Sequence, residues 1–340
     1  QGRHRRGGGR LMARYLAGRI AGLVLILFLV CLFTYLIFFE LSPDPAVMIC
    51  GKTCTPERVA QIRTVLGIDK PFLTQFGNFL GGLFAGRDYG TGVNLVHCPA
   101  PCLGYSFQTN QSVMQMVLTR LPVTATLAIG AAVLWLLAGI TAGLLSAVKE
   151  GTWWDRAAMN LALGGASIPN YVLALALQYV LVVKLQILPF PSSVAFTDDP
   201  WLWFQSYLMP WFVLATGAAC LYARLTRANV IDTLAENFFR TARSKGLAPV
   251  LTMRRHALRP ALTPIVTIFG MDFAALLGGA LITETVFGLN GIGKMAADSI
   301  EKNDQPVIMA VTLLAAFFVV VGNVVVDLVY TALDPRARVR

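Results

Sequence analysis

Charged residues are scarce in this sequence. Aspartate, glutamate, lysine and arginine make up 14% of its 340 residues, whereas they make up about 25% of an average soluble domain. Hydrophobic residues make up 56%. This balance excludes an ordinary soluble domain and predicts an integral membrane protein. The formal net charge of +10 is therefore interpreted from where the basic residues lie along the chain, and not as a sign of nucleic-acid binding.

Long apolar runs supply the length that a membrane-spanning helix needs, which is about 20 residues. We predict an all-α membrane protein with six transmembrane helices, at residues 17–39, 122–148, 157–182, 208–223, 261–282 and 307–333. The fourth run is the shortest of the six. Residues 40–119 form a long insertion after the first helix, and residues 120–340 hold the other five helices.

Acidic residues are absent from residues 237–260, a segment that carries basic side chains instead. Six spans place this segment, within a loop at residues 224–260, on the same side of the membrane as the basic tail at residues 1–16 and the basic C-terminus. Arginine and lysine near span ends are retained in the cytoplasm. We therefore predict a multi-pass protein with cytoplasmic termini and an external insertion.

The insertion contains four cysteines in two spaced pairs, Cys50 with Cys54 and Cys98 with Cys102. Compartments outside the cytoplasm are oxidising, so disulfides are the favoured interpretation. Four cysteines allow three connectivities, and the spacing does not choose among them. The alternatives are a zinc site that uses both pairs and His97, or free thiols.

Residues 288–294 read GLNGIGK, which has the spacing of a phosphate-binding loop. Such a loop needs serine or threonine at the next position for magnesium, and Met295 stands there instead. An apolar span precedes the segment, where a phosphate-binding loop would follow a strand. We interpret the match as chance and expect that this chain binds no ATP.

The basic segment has the pattern of a short amphipathic helix. One predicted face carries apolar residues at three- and four-residue spacings, namely Ile231, Leu234, Ala235, Phe238 and Ala242. Arg240, Arg243 and Lys245 lie on other faces, and Gly246 suits a helix C-terminal cap. Such a helix can insert into a cleft of a partner protein. A helix on anionic lipid and a solvated charged loop are the alternatives.

The stretch RTARSKGL at residues 240–247 resembles the cytoplasmic EAA loop of ABC importer permeases. In that loop a Glu-Ala-Ala-like triplet is followed, after three residues, by glycine; here Arg240, Thr241 and Ala242 precede Gly246. The triplet is similar to that of the dipeptide, oligopeptide and nickel permeases. Other stretches resemble the same branch in order, at residues 55–76, 167–189, 278–293 and 323–339. Residues 88–107, with Cys98 and Cys102, are an insert relative to the branch.

The resemblance implies a type I ABC importer permease fold in a bacterial plasma membrane. Two cytoplasmic ATPase subunits would bind ATP and Mg²⁺, so this chain would hold no cofactor and would not itself be an enzyme. They would receive the coupling loop, whose expected contact residues are Arg240, Thr241, Ala242, Arg243, Lys245 and Gly246. A second, similar permease would complete the path within the lipid, and an external binding protein would deliver substrate. The implied substrates are di- and oligopeptides. Nickel or another small solute is one alternative, and a stand-alone secondary transporter is an alternative of a different class.

Polar side chains inside apolar runs are costly in lipid and are candidates for the translocation path. Asp272 is the strongest candidate, because its carboxylate could meet a peptide amino group or a cation; a bond that joins two helices is the alternative. Gln178 and Asn323 are weaker candidates. The three histidines lie outside all predicted spans, which disfavours a metal path. Gly139 and Gly143 have the spacing that allows close helix packing.

Overall fold

The computed structural model describes residues 5–39, 44, 46–47, 55–66, 69–89, 96–245, 252–253 and 258–333. Helices dominate these residues, as predicted, and two small antiparallel sheets lie in the insertion. In chain order the elements are α1 (Arg5–Phe39), α2 (Pro56–Leu66), α3 (Phe72–Ala85), β1 (Arg87–Tyr89), β2 (Val96–Cys98), β3 (Tyr105–Ser106), β4 (Gln111–Ser112), α4 (Val113–Val148), α5 (Trp153–Ser167), α6 (Asn170–Leu177), a π-helical segment (Gln178–Lys184), α7 (Pro200–Ala235), α8 (Asn237–Ser244), α9 (Leu258–Leu277), α10 (Leu281–Val286), α11 (Ile292–Glu301) and α12 (Gln305–Leu333).

Five helices in the described part of the chain are long and apolar enough to cross a membrane. These segments are Gly18–Phe38, Val113–Val148, Pro200–Ala235, Pro260–Leu277 and Gln305–Asp327. A bent pair, α5 followed by α6 with the π-helical segment, would make a sixth span, and its two halves meet at 94°. The predicted number of six is therefore reached only when this pair is counted as one span.

The prediction of a continuous third helix at residues 157–182 is wrong. Helix α5 ends at Ser167, and Ile168 and Pro169 adopt extended backbone with ψ of 120° and 133°. A proline disfavours helical backbone at the residue before it and has no N–H to donate, which explains the break. The residues of the break, from Ser167 to Asn170, are exposed.

Three other predicted spans have different bounds in the structure. Helix α4 begins at Val113, before the predicted 122, and Pro122 lies inside it. Helix α7 has 36 residues and extends well beyond the predicted 208–223, because Asp199 caps its start by accepting from two backbone N–H groups and its other end continues past the apolar run. The fifth span ends at Leu277, before the predicted 282. Gly279 adopts a left-handed φ of 122°, and a Cβ there would lie 2.8 Å from the nitrogen of Gly293. Helix α10 is therefore a separate element.

The chain divides into two compact units. The first comprises residues 1–122 and 295–324, and the second comprises residues 123–294 and 325–340. In the first unit an aromatic cluster joins α1 to α3 and α12, and its buried members are Cys31, Tyr35, Phe76, Phe79 and Met309. Helix α2 lies in the insertion, and the Thr55 carbonyl accepts from the N–H groups of Arg58 and Val59 at its start.

In the second unit, glycines bring α4 against α7. A Cβ at Gly139 would lie 2.7 Å from the Cβ of Tyr222, and a Cβ at Gly143 would lie 2.6 Å from the Cβ of Thr226. No larger residue fits these positions without displacing α7. The close packing predicted from the spacing of Gly139 and Gly143 is confirmed, and it fixes the long helix from which the basic segment extends.

Candidate functional site

The basic segment forms a separate short helix, α8, directly after α7. Helix α7 stops at Ala235, Glu236 adopts extended backbone with φ −67° and ψ 146°, and α8 starts at Asn237. The N–H of Glu236 donates to the Thr233 carbonyl at 3.3 Å, and the Glu236 carbonyl accepts from Phe239 N–H at 3.1 Å. The backbone of one residue therefore closes the long helix and opens the short one.

The single amphipathic face predicted from Ile231 to Ala242 is wrong, because the break at Glu236 divides it. Ile231 and Leu234 remain on α7, where they pack against a buried cluster of Ala147, Val230 and Ala261. Phe238 belongs to α8 and is 46% exposed. Glutamate is compatible with a helix interior, so the apolar spacing alone gave no sign of this break.

Helix α8 contains four of the predicted coupling residues, which are Arg240, Thr241, Ala242 and Arg243. Lys245 follows in the turn that ends the helix, and its N–H donates to the Thr241 carbonyl at 3.2 Å. The side chains of Thr241 and Lys245 are exposed. Gly246 lies outside the described residues, so its role as a cap stays a prediction.

Asp272 lies on α9 and is exposed in the single chain. Its Oδ2 accepts a hydrogen bond of 2.8 Å from the hydroxyl of Tyr222 on α7. Tyr222 is fully buried, and its ring lies 6.2 Å from that of Trp135. The helix-joining bond that the sequence offered as an alternative is therefore present, and the Asp272 residue stays accessible. The sequence analysis did not identify Tyr222 as the partner of Asp272, because no local pattern links two residues so far apart along the chain.

The two weaker path candidates have different surroundings. Gln178 is half-buried at the start of the π-helical segment, and its Nε2 donates to the Val286 carbonyl of α10 at 3.4 Å. Asn323 is exposed on α12. The side-chain hydrogen bonds of Gln178 and Asp272 go to different residues, so these bonds do not bring the two candidates together.

The sequence did not single out Glu284 as a site, although it is fully buried in the second unit. Its Oε1 accepts from the Thr124 hydroxyl at 2.8 Å, and its Oε2 accepts from Lys294 N–H at 2.9 Å. The Thr124 oxygen in turn accepts from Ile292 N–H at 2.8 Å. A Cβ at Gly291 would lie 2.6 Å from Glu284 Oε1. The GLNGIGK segment thus encloses a carboxylate of its own chain, at the start of α11, and follows a helix where a phosphate-binding loop follows a strand.

Cys98 and Cys102 form a disulfide, which confirms the disulfide interpretation for this pair. Both are buried beside an aromatic cluster of Tyr89, Tyr105 and Phe107. Cys50 and Cys54 lie outside the described residues. His97 pairs with Asp88, whose Oδ1 lies 2.6 Å from the histidine Nδ1. Among the residues that the structure describes, no group of three metal-ligating side chains occurs.

Comparisons with known proteins identify the family. Residues 12–128 match the N-terminal membrane component of binding-protein-dependent transport systems, and residues 139–339 match the inner-membrane component of those systems. A putative peptide transport system permease protein of Brucella melitensis is 34% identical over 96% of this chain and 99% of its own length. The glutathione transport system permease protein of Escherichia coli K12 is 33% identical over the same shares.

The fold agrees with this result. The structure of the MetNI methionine ABC transporter matches 65% of this chain and 97% of its own chain, with a TM-score of 0.53 and 17% sequence identity. The resemblance predicted from the sequence is confirmed. With family matches in both halves and close relatives along nearly the whole length, this chain belongs to the inner-membrane components of binding-protein-dependent transport systems, the permease subunits of ABC importers.

Proposed function

We propose that this permease forms half of the translocation path of an ATP-driven importer for di- and oligopeptides. The relatives described above are named as peptide and glutathione permeases, and glutathione is itself a tripeptide. A second, similar permease supplies the other half of the path. A binding protein outside the membrane delivers the peptide and sets most of the specificity.

The observation that carries the coupling part of the proposal is the separate helix α8. It is short and basic, it begins at a break in the backbone, and it exposes Phe238. A short helix with an exposed aromatic residue suits a groove on another protein. We assign this groove to a cytoplasmic ATPase subunit, one for each permease. ATP and Mg²⁺ bind to those subunits, and α8 receives their movement.

The orientation follows from the basic residues. Arg224 and Arg227 lie in the C-terminal part of α7, and the arginines of α8 follow directly after the end of that helix. Such clusters are retained in the cytoplasm. Both termini lie on that side of a bacterial plasma membrane, and the disulfide between Cys98 and Cys102 lies on the oxidising side.

Asp272 is the residue that we place on the path. An exposed carboxylate on a spanning helix is costly in lipid, so it faces water or protein in the assembled importer. The hydroxyl of Tyr222 holds its Oδ2 at 2.8 Å. A fixed negative group of this kind can attract the ammonium group at the N-terminus of a peptide. Gln178 and Asn323 complete the proposed set of path residues.

The test is reconstitution in proteoliposomes of the permease with the subunits that purify with it. We expect Arg240→Glu and Gly246→Pro to lower the amount of peptide taken up per ATP hydrolysed about tenfold, which is within the range that typical coupling free energies produce. The complex should still assemble in both variants. Arg58→Glu reverses an exposed charge on α2 and serves as the control, with no expected change.

Three outcomes would contradict the proposal. Normal uptake per ATP in both α8 variants would remove the coupling helix. Peptide uptake by the permease alone, without any ATPase subunit, would identify a stand-alone transporter. Uptake of nickel or another small solute, with no competition from di- or tripeptides, would replace the substrate class and leave the coupling helix intact.

A further inference from the structure

The carboxylate of Asp155 joins three elements of the second unit. Asp155 lies in the first turn of α5 and is 5% exposed. The hydroxyl of Ser146, near the end of α4, donates to its Oδ1, and the N–H of Gly151 donates to its Oδ2 at 3.0 Å. Arg227 of α7 donates to both oxygens, from Nε at 2.7 Å and from Nη2 at 2.9 Å. A carboxylate with so many donors in this geometry is a rigid connection.

Arg227 occupies a particular place on α7. It lies on the same uninterrupted helix as Ala235, the last residue before the break that starts α8. The bidentate bond to Asp155 fixes both the position and the rotation of its guanidinium group, because two parallel hydrogen bonds define a plane. Glu150 lies farther away, 4.0 Å from Arg227 Nη2, and is 57% exposed. Asp155 is therefore the main partner of Arg227.

Helix α5 has wide exposed surfaces on its other sides. Trp153, Trp154, Leu161 and Leu163 are 59–76% exposed. Its close contact is with α7, where a Cβ at Gly165 would lie 2.8 Å from the sulfur of Cys220. The ion pair fixes the N-terminal turn of α5 to α7, so a displacement of α7 is imposed on α5 there as well as at the Gly165 contact.

The other end of α5 is the 94° break before α6. Rigid helices transmit a displacement along their length, and a break between helices is where the chain can bend. The break between α8 and α7 is the single residue Glu236, whose backbone is hydrogen-bonded to both helices. A movement that enters through α8 would thus reach α7 through Glu236, pass along α7, cross the ion pair to α5 and reach the break before α6. The close packing of α4 on α7 at Gly143 moves the Ser146 end of α4 with them.

We infer that the ion pair between Asp155 and Arg227 is the joint that transmits the movement of α8 to the broken helix pair α5–α6. Both are positioning residues, since neither is assigned a contact with the peptide or with ATP. The inference rests on the proposed function, in which α8 docks on an ATPase subunit. It assigns the direction in which that movement travels inside the permease.

The experiment compares Asp155→Asn, Arg227→Gln and the double variant in proteoliposomes with the subunits that purify with the permease. Uptake and ATP hydrolysis are both measured per assembled complex. We expect each single variant to hydrolyse ATP and to transport about tenfold less peptide per ATP. The double variant should lose no more than either single variant, because both act through one bond. Arg156→Gln, an exposed charge next to Asp155, is the matched control.

The outcomes separate the alternatives. A smaller yield of assembled complex, with normal uptake and normal ATP hydrolysis per complex, would reduce the pair to a stabilising contact and overturn the inference. Additive losses in the double variant would also overturn it. If Asp155→Asn does not assemble, Arg227→Lys carries the test, because it keeps the charge and loses the bidentate geometry. If uptake per ATP is normal in the Asp155 and Arg227 variants but reduced in Arg240→Glu, this inference alone is rejected. If uptake per ATP is normal in Arg240→Glu as well, the proposed function is rejected.

Discussion

The buried carboxylate of Glu284 allows a quantitative test through Thr124→Val. Valine has the shape of threonine and fills the same space, so the substitution changes hydrogen bonding without leaving a cavity. It removes the hydroxyl that donates to Glu284 Oε1 at 2.8 Å and the oxygen that accepts from Ile292 N–H at 2.8 Å. A hydrogen bond to a charged group contributes about 1.5–3 kcal/mol, and a buried N–H without a partner costs about 1–3 kcal/mol. The free energy of unfolding should fall by the sum of the two, about 2.5–6 kcal/mol.

The assay is a denaturant titration of the purified permease in detergent, and tryptophan fluorescence monitors unfolding at each denaturant concentration. Thr141→Val is the matched control on the same helix, because Thr141 is exposed and its hydroxyl bonds only to carbonyls of its own helix. Its free energy of unfolding should change by less than about 0.5 kcal/mol. Equal losses in the two variants would refute the reasoning, since they would show that the Thr124 hydroxyl contributes nothing specific to the burial of Glu284.

Two further predictions concern Asp272 and Asp304. Asp272→Asn should lower the maximal rate of peptide uptake about tenfold, the effect of one lost interaction with a charged group. Tyr222→Phe keeps the carboxylate and should lower this rate far less. Equal losses in the two variants would reduce Asp272 to a helix-joining role. Burial raises the pKa of Asp304, although hydrogen bonds from the Ser106 hydroxyl and the Val307 N–H act in the opposite direction. Stabilisation from a carboxyl group with a raised pKa is complete below the unfolded pKa of about 3.9 and is lost as the pH rises through the folded value. Thermal melts from about pH 7 to about pH 4 should therefore show the wild type gaining stability relative to Asp304→Asn; a difference that does not change with pH would contradict this.

The parts of the fold that the sequence predicted are those that depend on composition or on short spacings. Apolar runs long enough to cross a bilayer can be read directly, because hydrocarbon must be matched by apolar residues over a fixed length. Close packing at Gly139 and Gly143 follows from their spacing, whereas the partner helix, α7, is given by the structure. Disulfide formation in the insertion follows from its predicted compartment, whereas the pairing of Cys98 with Cys102 is given only by the structure.

The parts that the sequence did not predict depend on contacts between distant residues. Thr124 meets Glu284, and Arg227 meets Asp155, across long stretches of chain that carry no shared local pattern. The break at Glu236 depends on a single extended residue inside a run that favours helix throughout. Pro169 did carry a local signal, because the residue before a proline avoids helical backbone. The predicted third span ran through it because the apolar run continues on both sides.

The break between α5 and α6 also determines which side of the chain can face lipid. Where a helix stops, backbone carbonyls lose their helical partners, and lipid tails offer them no replacement. Ile168 is 44% exposed in the single chain, and Ser167, Pro169 and Asn170 are exposed beside it. In the assembled importer this side of the chain must therefore be hydrated or covered by protein. The break in the backbone thus identifies a side of the subunit that does not face lipid. This conclusion does not depend on which side chains line the translocation path.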